Sequence, residues 1–211
     1  MTDTYLTVSG DSCVESVINK SRFIGYASPC SDEDAALLFL QNIRNQHKSA
    51  THHCYAYVIG ENSGIMRYSD DGEPGGTAGM PIMSVIRSVG IVNCCIVVVR
   101  YFGGVLLGTG GLVRAYTQSA QAALKSAGIA EMTLTTDGLF RLPYSCWDKF
   151  RYACEHLPVM ITGIEYGSDI SFHLCYRSAE KEIILPRVLE ASDRKLTSVS
   201  ASEAYMPWKT E

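Results

Sequence analysis

Apolar positions change their period along the chain, and each change marks an element. Residues 1–30 read as extended structure, two strand-like pieces on either side of Lys20-Ser21-Arg22-Phe23. A helix is predicted next, with Ser31 as N-cap, Asp34 three residues on, and Ala36, Leu40, Ile43 and His47 at helical spacing. Thr51-His52-His53 leads into a strand over Tyr55–Ile59. A loop of Asp, Gly, Glu and Pro from Tyr68 to Gly79 then feeds a short helix, with Pro81 near its first turn and Gly90 past its end. Ile82, Val85, Ile86 and Val89 form the apolar stripe of that helix. Cys94 to Val99 is uniformly apolar, the pattern of a strand covered on both faces. It ends in Arg100-Tyr101-Phe102. A second glycine cluster, Gly103 to Gly111, opens a helix from about 110 to 127 that Gly128 closes.

The last third has another rhythm. A strand around 132–142 precedes a helix capped by Ser145, with Trp147, Phe150, Cys154 and Leu157 on one face. Strands near 159–166 and 170–177 flank Gly167-Ser168-Asp169, a hairpin signal. A helix near 179–191 contains Pro186, which either kinks it or marks its start, and a strand near 195–205 follows. The order βαββαβ is the ferredoxin-like plan. A chain of 211 residues accommodates two domains, placed at 1–132 and 133–211, in an α+β fold.

Composition excludes several classes. No run of about 18 uncharged apolar residues exists, so no membrane-spanning helix is expected. Residues 1–8 lack the basic-then-apolar order of a secretory signal, which predicts a cytoplasmic protein. The eight cysteines are scattered without a C-x-x-C pair and read as small buried hydrophobes in a reducing compartment. Net charge is −4, and residues 1–135 and 136–211 carry the same balance, so bulk charge does not mark a strong polyanion binder.

Three constellations could carry chemistry. Asp70-Asp71-Gly72-Glu73-Pro74-Gly75-Gly76-Thr77-Ala78-Gly79 precedes a helix, where small residues and unpaired amides suit an anion; its carboxylates could instead hold a divalent cation. Arg100-Tyr101-Phe102 with Gly108-Thr109-Gly110-Gly111 and Arg114 joins guanidinium groups and aromatics to a second helix start. His52 and His53 point to opposite faces of a strand, so one of them can join a site as metal ligand or acid–base group. No Walker A, nucleophile-elbow or H-E-x-x-H sequence is present.

These strings, with Ala50-Thr51-His52-His53-Cys54 and Leu107 through Tyr116, resemble the YigZ/IMPACT family from about residue 20 to 125. The resemblance implies an N-terminal domain similar to the second domain of a small-subunit ribosomal protein. It also implies a ferredoxin-like C-terminal module and a protein facing RNA or the ribosome. Two positions depart from the family pattern: Gly75 stands where Ser is frequent and Met80 where a basic residue is frequent.

The resulting expectation is a noncatalytic protein that binds RNA, the ribosome or a translation factor and regulates translation. Its ligand-binding residues are expected to be His52, Asp71, Glu73, Gly76, Thr77, Arg100, Tyr101, Gly110, Gly111 and Arg114. Arg100 and Arg114 would meet phosphate, Tyr101 would stack, and the glycine-loop amides would donate. No cofactor, resident metal or catalytic residue is expected, and the oligomeric state stays open. The alternatives are a metal-dependent hydrolase of a phosphorylated or peptide-like small molecule, using Asp70, Asp71, Glu73 and His52, and a protein-binding adaptor.

Overall fold

A computed structural model describes residues 3–208. Contacts divide the chain into two compact units, Met1–Glu131 and Met132–Glu211. In the first, a five-stranded antiparallel sheet runs in the order β2 (Ser12–Ile18), β3 (Ser21–Pro29), β6 (Cys94–Tyr101), β4 (His52–Ile59), β5 (Ile65–Ser69). β2 and β3 are joined by Asn19-Lys20, both at positive φ, so that Ile18 pairs with Ser21 as a two-residue hairpin requires. β1 (Thr4–Val8) lies outside this sheet and is tied to the unit by a bridge from Leu6 to Ile91.

The uniformly apolar β6 is central and buried on both faces. Its even-numbered residues Cys94, Ile96 and Val98 join the core beneath α2 (Gly79–Val89) and α3 (Gly108–Ala127). Its odd-numbered residues Cys95, Val97 and Val99 join a second core beneath α1 (Glu33–Gln46). The adjacent thiols therefore leave on opposite faces, as strand geometry demands. Gly25 lets α3 lie close on β3, because a Cβ there would sit 2.5 Å from the Ser119 carbonyl oxygen.

From Met132 on, the greater part of β7 (Ile129–Leu142), then α4 (Tyr144–Cys154), β8 (Val159–Tyr166), β9 (Ile170–Arg177), α5 (Lys181–Ala191) and β10 (Thr197–Pro207) make the second unit in the ferredoxin-like order. The strands lie antiparallel in the spatial order β10, β7, β9, β8. Both helices cover one face, where Trp147, Phe150, Phe172, Ile184 and Val188 make the core.

Several predicted boundaries move. The cap of α1 is Asp32, whose carboxylate accepts from the Ala35 amide at 2.8 Å, rather than Ser31. Ser145 does not cap α4, which begins at Tyr144 behind Pro143. α3 starts two residues earlier than its periodicity indicated, because Gly108, at φ +69°, makes the entry. α5 runs through Pro186 after a 3₁₀ turn at Ser178–Glu180, so the proline does not mark its start. Among the described residues no helix is long and apolar enough to cross a membrane.

Candidate functional site

Strand register assembles the site. Arg100 at the end of β6 pairs with Phe23 of β3 and with His52 at the start of β4, so three side chains form one row across the sheet on the α2–α3 face. The Arg100 guanidinium lies between the rings of Phe23 and Phe102, 5.4 and 5.5 Å from their centroids. Its Nη1 donates to Glu73 Oε1 at 2.6 Å and its Nη2 to Ser21 Oγ at 3.2 Å.

Glu73 descends from the loop before α2 into this row, its side chain 3% exposed. The same Oε1 also accepts from the Tyr116 hydroxyl at 2.7 Å. Burial, then the neighbouring Cys54 and Glu73, push the Tyr116 phenol far above its ordinary range, so it keeps its proton and donates. Glu73 Oε2 makes no hydrogen bond among the described residues.

His52 completes the group. Its Nδ1 lies 2.8 Å from the Asp71 carbonyl oxygen, which can only accept, so Nδ1 carries the proton. In the neutral ring Nε2 is then an acceptor, 3.8 Å from Glu73 Oε1.

Above these groups lies an open cleft of about 410 Å³. Thr51, His52, Glu73, Pro74 and Arg100 line one side, and Phe102 with Leu106, Leu107 and Leu112 supplies apolar walls. Gly108 and Thr109 bring the start of α3 to its edge. Leu107, at the N-cap, gives that helix no side-chain hydrogen bond, so its first amides are uncapped. The cleft is of a size that holds small ligands, with few polar groups converging at its base.

Of the residues expected at the site, the structure brings His52, Glu73 and Arg100 together and places most of the others elsewhere. Arg100 is 5% exposed and committed to an internal ion pair with Glu73, so it does not present a free charge to phosphate. Tyr101 is the next residue along the strand and turns to the other face, its hydroxyl 2.8 Å from His47 Nδ1 under α1. Phe102, beyond the strand end and 46% exposed, is the aromatic at the cleft.

The first glycine loop is closed by its own acid. Asp70 accepts from the amides of Gly76, Ala78 and Gly79 at 2.8, 2.9 and 2.8 Å. Thr77 is buried and gives both its amide and its hydroxyl to the Pro74 carbonyl. Gly76 and Thr77 therefore have no donor to offer an anion, and the two glycine loops do not form one shared amide-lined patch.

Asp71 acts from behind. Its carbonyl orients His52, and its carboxylate accepts from the His53 amide at 2.6 Å, away from the cleft. Gly110, Gly111 and Arg114 lie in the first two turns of α3 and, unlike Gly108, Thr109 and Leu112, are not among the residues that line the cleft. Arg114 is exposed and donates through Nε to the Gly110 carbonyl. With Asp70 turned to α2, Asp71 to His53 and Glu73 to Arg100, the three carboxylates diverge. Among the described residues no three His, Cys, Asp or Glu side chains are placed to hold a metal ion. The missed residues are Thr51 and the leucines of the 106–112 segment, which carry no chemical signal of their own.

Known proteins share this arrangement of segments. The Impact N-terminal domain family matches residues 19–124, the span that contributes every residue of the cleft. The "IMPACT family member YvyE" of Bacillus subtilis is 37% identical over 92% of this chain and 90% of its own. The "IMPACT family member" of Haemophilus influenzae is 37% identical over 93% of each chain. A solved structure described as "Crystal structure of an hypothetical protein" superposes with a TM-score of 0.63 at 30% identity, covering 95% of this chain and 98% of the other. With the domain matched across the site and relatives aligned through nearly the whole length, this chain belongs to the IMPACT family.

Proposed function

We propose that this chain is a noncatalytic RNA-binding protein acting on the ribosome or a translation complex, and that one nucleotide of single-stranded RNA enters the cleft. The observation that carries the reading is the uncapped start of α3 beside an exposed aromatic and an apolar wall. A base stacks on Phe102 and Leu106, and its phosphate meets the amides of Gly108 and Thr109, where the helix dipole is positive. Arg114 supplies the nearby mobile charge in place of the buried Arg100. With so few cations and a net charge of −4, only one or two phosphates are neutralised, so the salt dependence is shallow, with a log–log slope near −0.7 per phosphate contacted.

The test is fluorescence anisotropy of a short mixed-sequence single-stranded RNA. Phe102→Ala weakens binding about tenfold, as loss of one stacked base predicts, and Arg114→Ala weakens it and reduces the salt slope. Wild type that does not bind, or a Phe102→Ala variant that binds equally, overturns the reading.

Leu106, 85% exposed at the rim, favours a second reading, a protein partner seated on the same face. Such a partner survives nuclease treatment in a pull-down and depends on Leu106 rather than Arg114.

A further inference from the structure

The floor of the cleft holds two acceptors that nothing in the protein satisfies. Glu73 Oε1 is saturated by Arg100 and Tyr116, whereas Oε2 receives no hydrogen bond among the described residues. Among the described residues the fully buried side-chain atoms without partners are Arg100 Nε, beside Glu73 in the cleft wall, and, away from the cleft, Ser119 Oγ and Glu180 Oε2. Glu73 Oε2 is not one of them, so it keeps contact with the open space of the cleft that Glu73 lines. Beside it, His52 Nδ1 donates to the Asp71 carbonyl, and Nε2, an acceptor in the neutral ring, lies 3.8 Å from Oε1 of the same carboxylate, too long for a hydrogen bond. Two acceptors cannot satisfy each other.

We propose that Glu73 Oε2 and His52 Nε2 together read an exocyclic amino group of a nucleobase, so that the cleft selects amino bases over keto bases. The inference rests on the nucleotide-binding reading above and adds which base is taken. An amino nitrogen carries two hydrogens that diverge, and one such nitrogen can donate to both acceptors at once. A carbonyl oxygen in its place would face two lone-pair bearers with no proton between them, and a site built to accept from an N–H rejects a ligand that lacks it. Adenine and cytosine carry such a nitrogen on their pairing edge, where uracil and hypoxanthine carry a carbonyl oxygen and only a single ring N–H beside it.

The test compares matched pairs that differ only at this group: AMP against IMP and CMP against UMP, titrated into the full chain by calorimetry. Each amino nucleotide binds at least about tenfold tighter than its keto partner. His52→Leu removes one acceptor and narrows the AMP/IMP ratio toward unity, with the melting temperature recorded to confirm folding; the wild-type pairs stand on their own if that variant does not fold. A wild-type ratio near one in both pairs, or a preference for IMP and UMP, overturns the base selection, and so does the absence of binding by all four. Parallel anisotropy with oligo(A) and oligo(U) separates the two proposals: equal binding of both sinks the selection and leaves the nucleotide reading intact, whereas binding of neither sinks both.

Discussion

Arg100 and Glu73 meet at 2.6 Å with side chains 5% and 3% exposed, and each is what keeps the other's charge tolerable inside the protein. Removing one partner strands the other. Arg100→Ala is therefore expected to cost about 3–5 kcal/mol in urea unfolding, and Tyr116→Phe, which removes a donor to the same carboxylate, about 1.5–3 kcal/mol. Because both act on Glu73 Oε1, their effects are not additive, and a double-mutant cycle reports a coupling above about 0.5 kcal/mol. Additive effects would contradict the shared acceptor.

Asp70 gives a pH-dependent contribution. Burial works to raise its carboxyl, but the three amides of Gly76, Gly79 and Ala78 outweigh it and hold the group below the ordinary carboxylate value. The folded form is thus stabilised by the ionised carboxylate at neutral pH. That contribution is lost as pH falls from the ordinary value through the lowered one. Asp70→Ala is expected to cost about 1–2 kcal/mol at pH 7, the scale of a lost N-terminal cap, and to flatten the acid limb of melting temperature against pH.

Thiol chemistry distinguishes one cysteine from the other seven. Cys13 is exposed, and the rest are buried. Burial pushes the Cys30 thiol up to about 11 and Cys94 to about 12, so neither provides thiolate near neutrality. Titration of the native protein with a chromogenic disulfide is expected to show one fast thiol. The remaining seven should react only in denaturant.

Two glycines in α3 and its neighbour strand give opposite outcomes. Gly25→Ala drives a Cβ against the Ser119 carbonyl in helix backbone and should destabilise by about 1–3 kcal/mol. A Cβ at Gly110 meets nothing within 4 Å, so Gly110→Ala should leave stability unchanged or raise it by about 0.4–1 kcal/mol. Thermal melts of the two variants check both signs.

The elements were legible in the chain where a single period ran long enough. β6 and its two-sided burial followed from six apolar residues, and the second unit's order followed from its alternating segments. The site was less legible. Whether Arg100, Tyr101 or Phe102 faces the cleft depends on the parity of the strand and on the residue at which pairing stops, and neither is written in their side chains. The glycine loop looked like an anion cradle because its amides are unpaired in the sequence. Its occupant, Asp70, lies six to nine residues before the amides it accepts from, and only the folded turn reveals that it reaches back. Ser31 and Asp32 are equally good caps by type, and backbone geometry chose between them.

Asp71 holds two histidines by two different atoms. Its main chain grips the ring that points one way from β4, and its side chain grips the amide of the neighbour that points the other way. Arg44 of α1 lies 3.7 Å from that same side chain. One acidic residue thus fastens both faces of the sheet at the mouth of β4, stitching the outer helix on one side to the imidazole on the other, so that losing it would loosen two layers at once.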